Sequence, residues 1–253
     1  MATKPKQEVS VPEGTSVGFL DQRPEWAQGA GRGNENVGQG DIVLPRLEIV
    51  QSLSPIREED PGAIEGSFFN SASLELLGDL VYIVPVMFKV EFNVWTIYNE
   101  GGGFHGSFAT KVEAERRLAE VARDGTPREH LEVVDTPTHY CLKVKPDGSH
   151  EQIVVSMPKS KAKVSRRWNS AIQMGGGDRF SRVYKFSTFK DKNKKNQSFF
   201  NFVVSPAGFV PQALFTEAEK VYNMFKSSNV RADYTVDLGE TEGAGMDGEG
   251  SDI

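Results

Sequence analysis

Short apolar runs, some alternating with polar residues and some continuous, dominate the middle of this chain. They predict strands at residues 45–51, 67–70, 80–90, 91–98, 104–108, 131–134, 140–145, 152–157, 179–189 and 198–204. Residues 80–88 are apolar on both faces, as in a central strand. Pro85 cannot donate to a ladder, so a bulge or break is expected there. The three glycines at 101–103 mark a tight turn, and Asp147-Gly148 a hairpin turn. Three stretches switch to a helical period. Thr110-x-x-Glu113 reads as a capping box opening a helix that buries Ala114, Leu118, Val121 and Ala122. A second helix spans about 160–174, with Val164, Trp168, Ala171 and Ile172 on one side. A third opens at Thr216-x-x-Glu219 and presents Ala218, Val221, Tyr222 and Phe225.

The two ends lack such patterning. Residues 1–40 are rich in Gly, Pro, Gln, Asn and charge, most densely in the stretch GAGRGNENVGQG. With five glycines in those twelve residues, such a segment cannot bury enough apolar surface to offset the entropy of ordering, so a flexible N-terminal arm is expected. Residues 229–253 read as a disordered acidic C-terminal tail. The folded part is then 41–228, mainly β with inserted helices. Many short strands with a few helices fit a small barrel or curled sheet.

Composition narrows the function. The 253 residues are 38% hydrophobic and 25% charged, with one cysteine, Cys141. A lone cysteine excludes an internal disulfide and any zinc site needing a Cys pair in one chain. Cys141, within THYCLKVK, reads as a small core residue. No apolar run approaches the roughly 20 residues of a membrane span, and the first residues lack a secretory signal, so a cytoplasmic protein is expected. There is no P-loop, no HExxH and no Gly-x-Ser-x-Gly. His105, His130, His139 and His150 are scattered without metal spacing. Neither catalysis nor a cofactor nor a metal is expected.

Charge adds what motifs do not. The net charge is −6, yet residues 159–195 carry twelve Lys or Arg against only Asp178 and Asp191. Residues 232–253 carry seven acids and no base. A polyanion responds to the local field and not to the total. The basic residues Lys159, Lys161, Lys163, Arg166, Arg167, Arg179, Arg182, Lys185, Lys190, Lys192, Lys194 and Lys195 are interleaved with rings. Strand alternation places Phe180, Arg182, Tyr184 and Phe186 on one face and Val183 and Lys185 on the other. Cations that meet phosphates beside rings that stack on bases suit a single nucleic-acid strand. The candidate contacts are those twelve bases with Trp168, Tyr184 and Phe186. Half or more of the rings in this stretch are expected in the core, with Phe200 and Phe202 the likelier core pair. The acidic tail would compete with DNA for the cationic surface at high effective concentration.

The opening DIVLPRLEIVQSLSPIREEDPGAIEGSFFNSASLELLGDLVYIVPVMFKVEFNVW, with the acidic tail, resembles single-stranded DNA-binding proteins of bacteriophages. The resemblance covers about residues 41–230. It implies an OB-fold-like five-stranded Greek-key barrel with additional strands and flexible termini. It also implies coating of single-stranded DNA during replication and recombination, tail contacts with a polymerase or helicase, and often a homodimer. The tail here ends Ser251-Asp252-Ile253, where many tails of that family end in an aromatic. A single-strand annealing protein, a phage structural or assembly protein and a metal-dependent nuclease are the alternatives.

Overall fold

The computed structural model describes residues 32, 33, 35, 44–97, 100–193 and 196–227. The expected arm and tail lie outside the described residues, apart from Arg32, Gly33 and Glu35. All other described residues belong to one compact unit, Gln39–Ile253.

This unit is mainly β. Strands β1 (Leu47–Ile49), β2 (Phe68–Asn70) and β3 (Leu76–Gly78) form a small antiparallel sheet in that order. The large antiparallel sheet uses β4 (Val81–Thr96), β5 (Phe104–Phe108), β6 (Leu131–Val144), β7 (His150–Ser156), β8 (Arg182–Lys192) and β9 (Ser198–Phe209). Its order is β7-β6-β4-β8-β9, with β5 added on β4. Among the described residues four α-helices accompany them: α1 (Ile56–Glu59), α2 (Lys111–Arg123), α3 (Ala162–Gly175) and α4 (Gln212–Ser227).

Where two strands were expected at 80–98, β4 is one strand of 16 residues. Its register against β6 shifts between Pro85 and Met87, the irregularity that Pro85 predicts. The expected break between 134 and 140 is also absent, and β6 runs through it. Within it Thr138, with Tyr140 just beyond it, faces a buried carboxylate, that of Glu91. Tyr140 donates its hydroxyl to Glu91 Oε1 at 2.6 Å, and Thr138 donates to Oε2 at 3.3 Å. A buried carboxylate needs such donors, so polar residues here mark a satisfied interior and not a turn.

The capping box of α2 forms as expected. Glu113 N donates to Thr110 Oγ1 at 3.3 Å, and Thr110 N donates to Glu113 Oε2 at 3.2 Å. The box expected at Thr216 does not. Helix α4 starts a turn earlier, and Thr216 Oγ1 donates back to the Gln212 carbonyl at 3.1 Å.

Helices α3 and α4 take opposite faces of the large sheet. Trp168 and Ile172 of α3 join Ile83, Cys141 and Phe186 in one core. Ala218 and Phe225 of α4 pack with Val84, Tyr140, Leu142 and Val154 in another. Neighbouring positions on β4 and β6 thus feed different cores, as strand alternation requires. Strands β7 and β9 end the strand path, and the small sheet links them. Arg46 makes a parallel bridge to Val154, and Val154 N donates to the Pro45 carbonyl at 2.8 Å. On the other side, the Gln51 amide bonds the Phe200 backbone twice. It accepts from Phe200 N and donates to Phe200 O, each at 2.8 Å.

Candidate nucleic-acid interface

The site is built on the β8–β9 ribbon. Register pairs Phe186 with Val204, Thr188 with Phe202 and Lys190 with Phe200 on one face. It pairs Lys185 with Ser205, Ser187 with Val203 and Phe189 with Asn201 on the other.

The first face looks into the core. Tyr184 and Phe186 do share a face, as alternation predicts, but they are buried, and so is Trp168. Trp168 makes edge contacts with both rings, at centroid distances of 5.7 Å and 4.9 Å. As placed, these three rings pack on one another and present no face to a base. This corrects the expectation that they stack on nucleic acid. Lys161 is buried as well, with its ammonium 5.7 Å from the Phe202 ring centroid.

Arg179 is drawn into the same interior. Its Nη2 donates to Asn169 Oδ1 at 2.8 Å and to His139 Nδ1 at 2.7 Å. Because guanidinium only donates, Nδ1 is the acceptor and the ring proton sits on Nε2, which donates to Ser165 Oγ at 2.8 Å. Burial, reinforced by the Arg179 charge, holds His139 well below the usual histidine range. Burial pushes the Cys141 thiol up, in keeping with its reading as a core residue.

The outer face differs. Lys185 is exposed, Tyr82 opposite it on β4 is 43% exposed, Phe189 is 43% and Val203 is 40%. Phe189 lies four residues from Lys185, about 13 Å along the strand. Lys190 and Lys192 alternate onto the first face, which opens to solvent towards the hairpin tip; both are exposed there, and Lys190 Nζ lies 5.8 Å from the Phe200 ring centroid. The tip is held by paired amides. Asn193 Nδ2 donates to Gln197 Oε1 at 2.8 Å, and Gln197 N donates to Asn193 Oδ1 at 2.9 Å. Lys194 and Lys195 lie outside the described residues. The ribbon is pinned below the tip, where Thr188 Oγ1 donates to the Gly66 carbonyl at 2.6 Å. A Cβ at Gly66 would come within 2.6 Å of the Phe200 ring, and φ there is +86°, so only glycine fits.

The helical cations separate from these. Lys163, Arg166 and Arg167 are exposed on α3, which carries no acidic residue. Lys159 is tied to Glu132 at 2.8 Å. Arg182 connects helix and ribbon: its Nη2 donates to the Gly175 carbonyl at 3.0 Å, and its guanidinium lies 4.4 Å from the Phe209 ring centroid. Sequence reasoning did not select Tyr82, Phe189, Val203 or Phe209. For Phe189 the signal was present, because it shares the period-two face of Lys185. For Tyr82 it was not, since nothing local announces that β4 and β8 pair.

A family model described as Pam3 phage gp34-like protein matches residues 15–231. The chain belongs to the Pam3 phage gp34-like family. The family is one of phage proteins, and its matched span takes in every strand and helix from β1 to α4. The acid-rich stretch 232–253 falls beyond it. No curated protein and no solved structure matches this phage chain. Among the described residues, no three His, Cys, Asp or Glu side chains gather to hold a metal ion. No helix among them is long and apolar enough to cross a membrane.

Proposed function

We propose that this phage protein is a non-catalytic single-stranded DNA-binding protein that coats and protects strands during phage DNA replication and recombination. One observation carries the reading. The outer face sets Lys185 beside the exposed rings of Phe189 and of Tyr82 on the adjoining β4, Lys190 and Lys192 are exposed nearer the hairpin tip, and none of these three lysines makes an ion pair among the described residues. Rings of this kind stack on bases without regard to sequence, while the cations meet phosphates.

The strand connectivity supports an OB-fold for the same reading. Counting β4, β6, β7, β8 and β9 as five strands, the first pairs with both the second and the fourth. The second pairs with the third, and the fourth with the fifth. Helix α3 stands between the third and fourth. That is the path of a five-stranded Greek-key barrel, with the small sheet inserted where the third and fifth strands would meet. Such barrels bind oligonucleotides on the second and third strands and on the loops joining strands one to two and four to five. Here α4 covers Tyr140, Leu142 and Val154 on the second and third strands. The strand is therefore assigned to the ribbon and its lysine-bearing hairpin, the loop between the fourth and fifth strands. The acidic tail competes for the same cations or docks replication partners such as a polymerase or helicase.

Fluorescence anisotropy with labelled oligo-dT and with duplex DNA, each at low and high salt, tests the reading. Preference for the single strand and weakening with salt are expected. Equal affinity for duplex, or no binding at low salt, overturns it.

A further inference from the structure

We propose that Arg182 and Phe209 form a one-nucleotide subsite at the base of the ribbon, beside the C-terminal end of α3. Phe209 takes a base, and Arg182 takes the adjoining phosphate. The inference rests on the single-strand reading above but names a contact away from the outer face.

Exposure, register and charge converge here. Phe209 ends β9, is 70% exposed, and pairs in register with Arg182. The Arg182 guanidinium covers the ring at 4.4 Å, so the exposed part of the ring is left for a ligand. Among the described residues no carboxylate pairs with Arg182; its Nε is buried without an acceptor, so a phosphate would meet the Nη hydrogens that the Gly175 carbonyl leaves over. Its fixed partner is a backbone carbonyl of α3, where helix-end carbonyls favour a cation without cancelling it. A Cβ at position 175 would come within 3.1 Å of Arg182 Nε, so the guanidinium occupies space that glycine leaves open. Beyond it, a Cβ on Gly176 would meet nothing within 4 Å.

An exposed aromatic ring and an uncompensated planar cation ask for a ligand that is flat and apolar on one part and anionic on the next. A nucleotide within a strand is such a ligand, and arginine serves it better than lysine because its fork matches phosphate oxygens. Arg182 stands eight residues from Lys190, about 26 Å along β8, so the subsite lies far from the hairpin tip.

The experiment pairs two variants with oligo-dT. In Phe209→Trp, the added indole emission falls during titration and saturates together with the anisotropy. In Phe209→Ala, affinity falls about 5- to 150-fold, the weight of one stacked base. Unchanged emission and parent-like affinity overturn the subsite while the parent's binding keeps the broader reading intact. Loss of self-association in Phe209→Ala with unaltered DNA affinity also overturns it, because the ring would then serve a second copy of the chain. If the parent itself does not bind, both proposals fall together.

Discussion

The two faces of β8 have similar side-chain chemistry and opposite fates. One face offers Tyr184 and Phe186, and the other Lys185 and Phe189. Each strand position alternates without exception beyond the irregularity at Val183 and Tyr184. What separates the faces is the cover each receives. Trp168 of α3 closes over the first face, and the small sheet brings Phe68 against Phe202 at 6.0 Å. The second face continues from the apolar surface under α4, and at Tyr82 and Phe189 the rings are exposed. A ring's availability to a ligand is thus decided by remote segments and not by its neighbours in the chain.

The largest expected break in this contrast is Phe186→Ala. Removing a fully buried ring should cost about 3–5 kcal/mol of stability, read by urea denaturation. A loss below about 1 kcal/mol would contradict the core placement. On the other face, Phe189→Ala should leave stability within about 0.5 kcal/mol and weaken oligo-dT binding by about 5- to 150-fold. If both variants lose stability and neither loses affinity specifically, the two faces are not functionally distinct.

The inner face should also be the pH-sensitive one. Above pH about 6.5, His139 is neutral in folded and unfolded chains alike. Below that, the unfolded chain takes up a proton that the buried ring beside Arg179 refuses. Stability therefore falls as the solution is acidified from there towards the depressed folded value, by at most about 1.4 kcal/mol per pH unit. Urea midpoints at about pH 7.5 and about pH 5.5 measure it, and His139→Gln should remove this part of the slope. An equally steep slope in that variant would place the titrating group elsewhere. The smallest effect belongs to the ribbon cations. Lys190→Ala with Lys192→Ala should flatten the dependence of log affinity on log salt by about 1.4, for two phosphate contacts on a single strand. An unaltered slope would show these lysines to be only solvated.

Much of the fold is legible locally. The Thr110–Glu113 box, β5, the Asp147-Gly148 hairpin and the irregularity at Pro85 all follow from short-range chemistry. The failures are of two kinds. Polar residues at 135–139 suggest a gap in β6, because pattern alone cannot tell a buried, satisfied threonine from an exposed one. Thr216 and Glu219 have the spacing of a cap, but the apolar face of α4 begins with Leu214 and Phe215, and packing carries the helix past the signal. At the site, period two correctly groups residues by face but is silent on which face is inward. Arg182 and Phe209 lie 27 positions apart, and their pairing depends on the register of the whole ribbon.

The Gln51–Phe200 double hydrogen bond spans 149 positions of chain. Closure between β9 and the small sheet thus depends on one of the least local contacts in the molecule. Such a contact must overcome the entropy of a long loop before it yields any stabilisation. The β8–β9 hairpin, by contrast, joins strands separated by a short turn and forms on the microsecond scale typical of such units. Order of assembly therefore places the ribbon early and its junction with the small sheet late. A Gln51 variant that lacks the amide should slow or impair that last step more than it alters the hairpin itself.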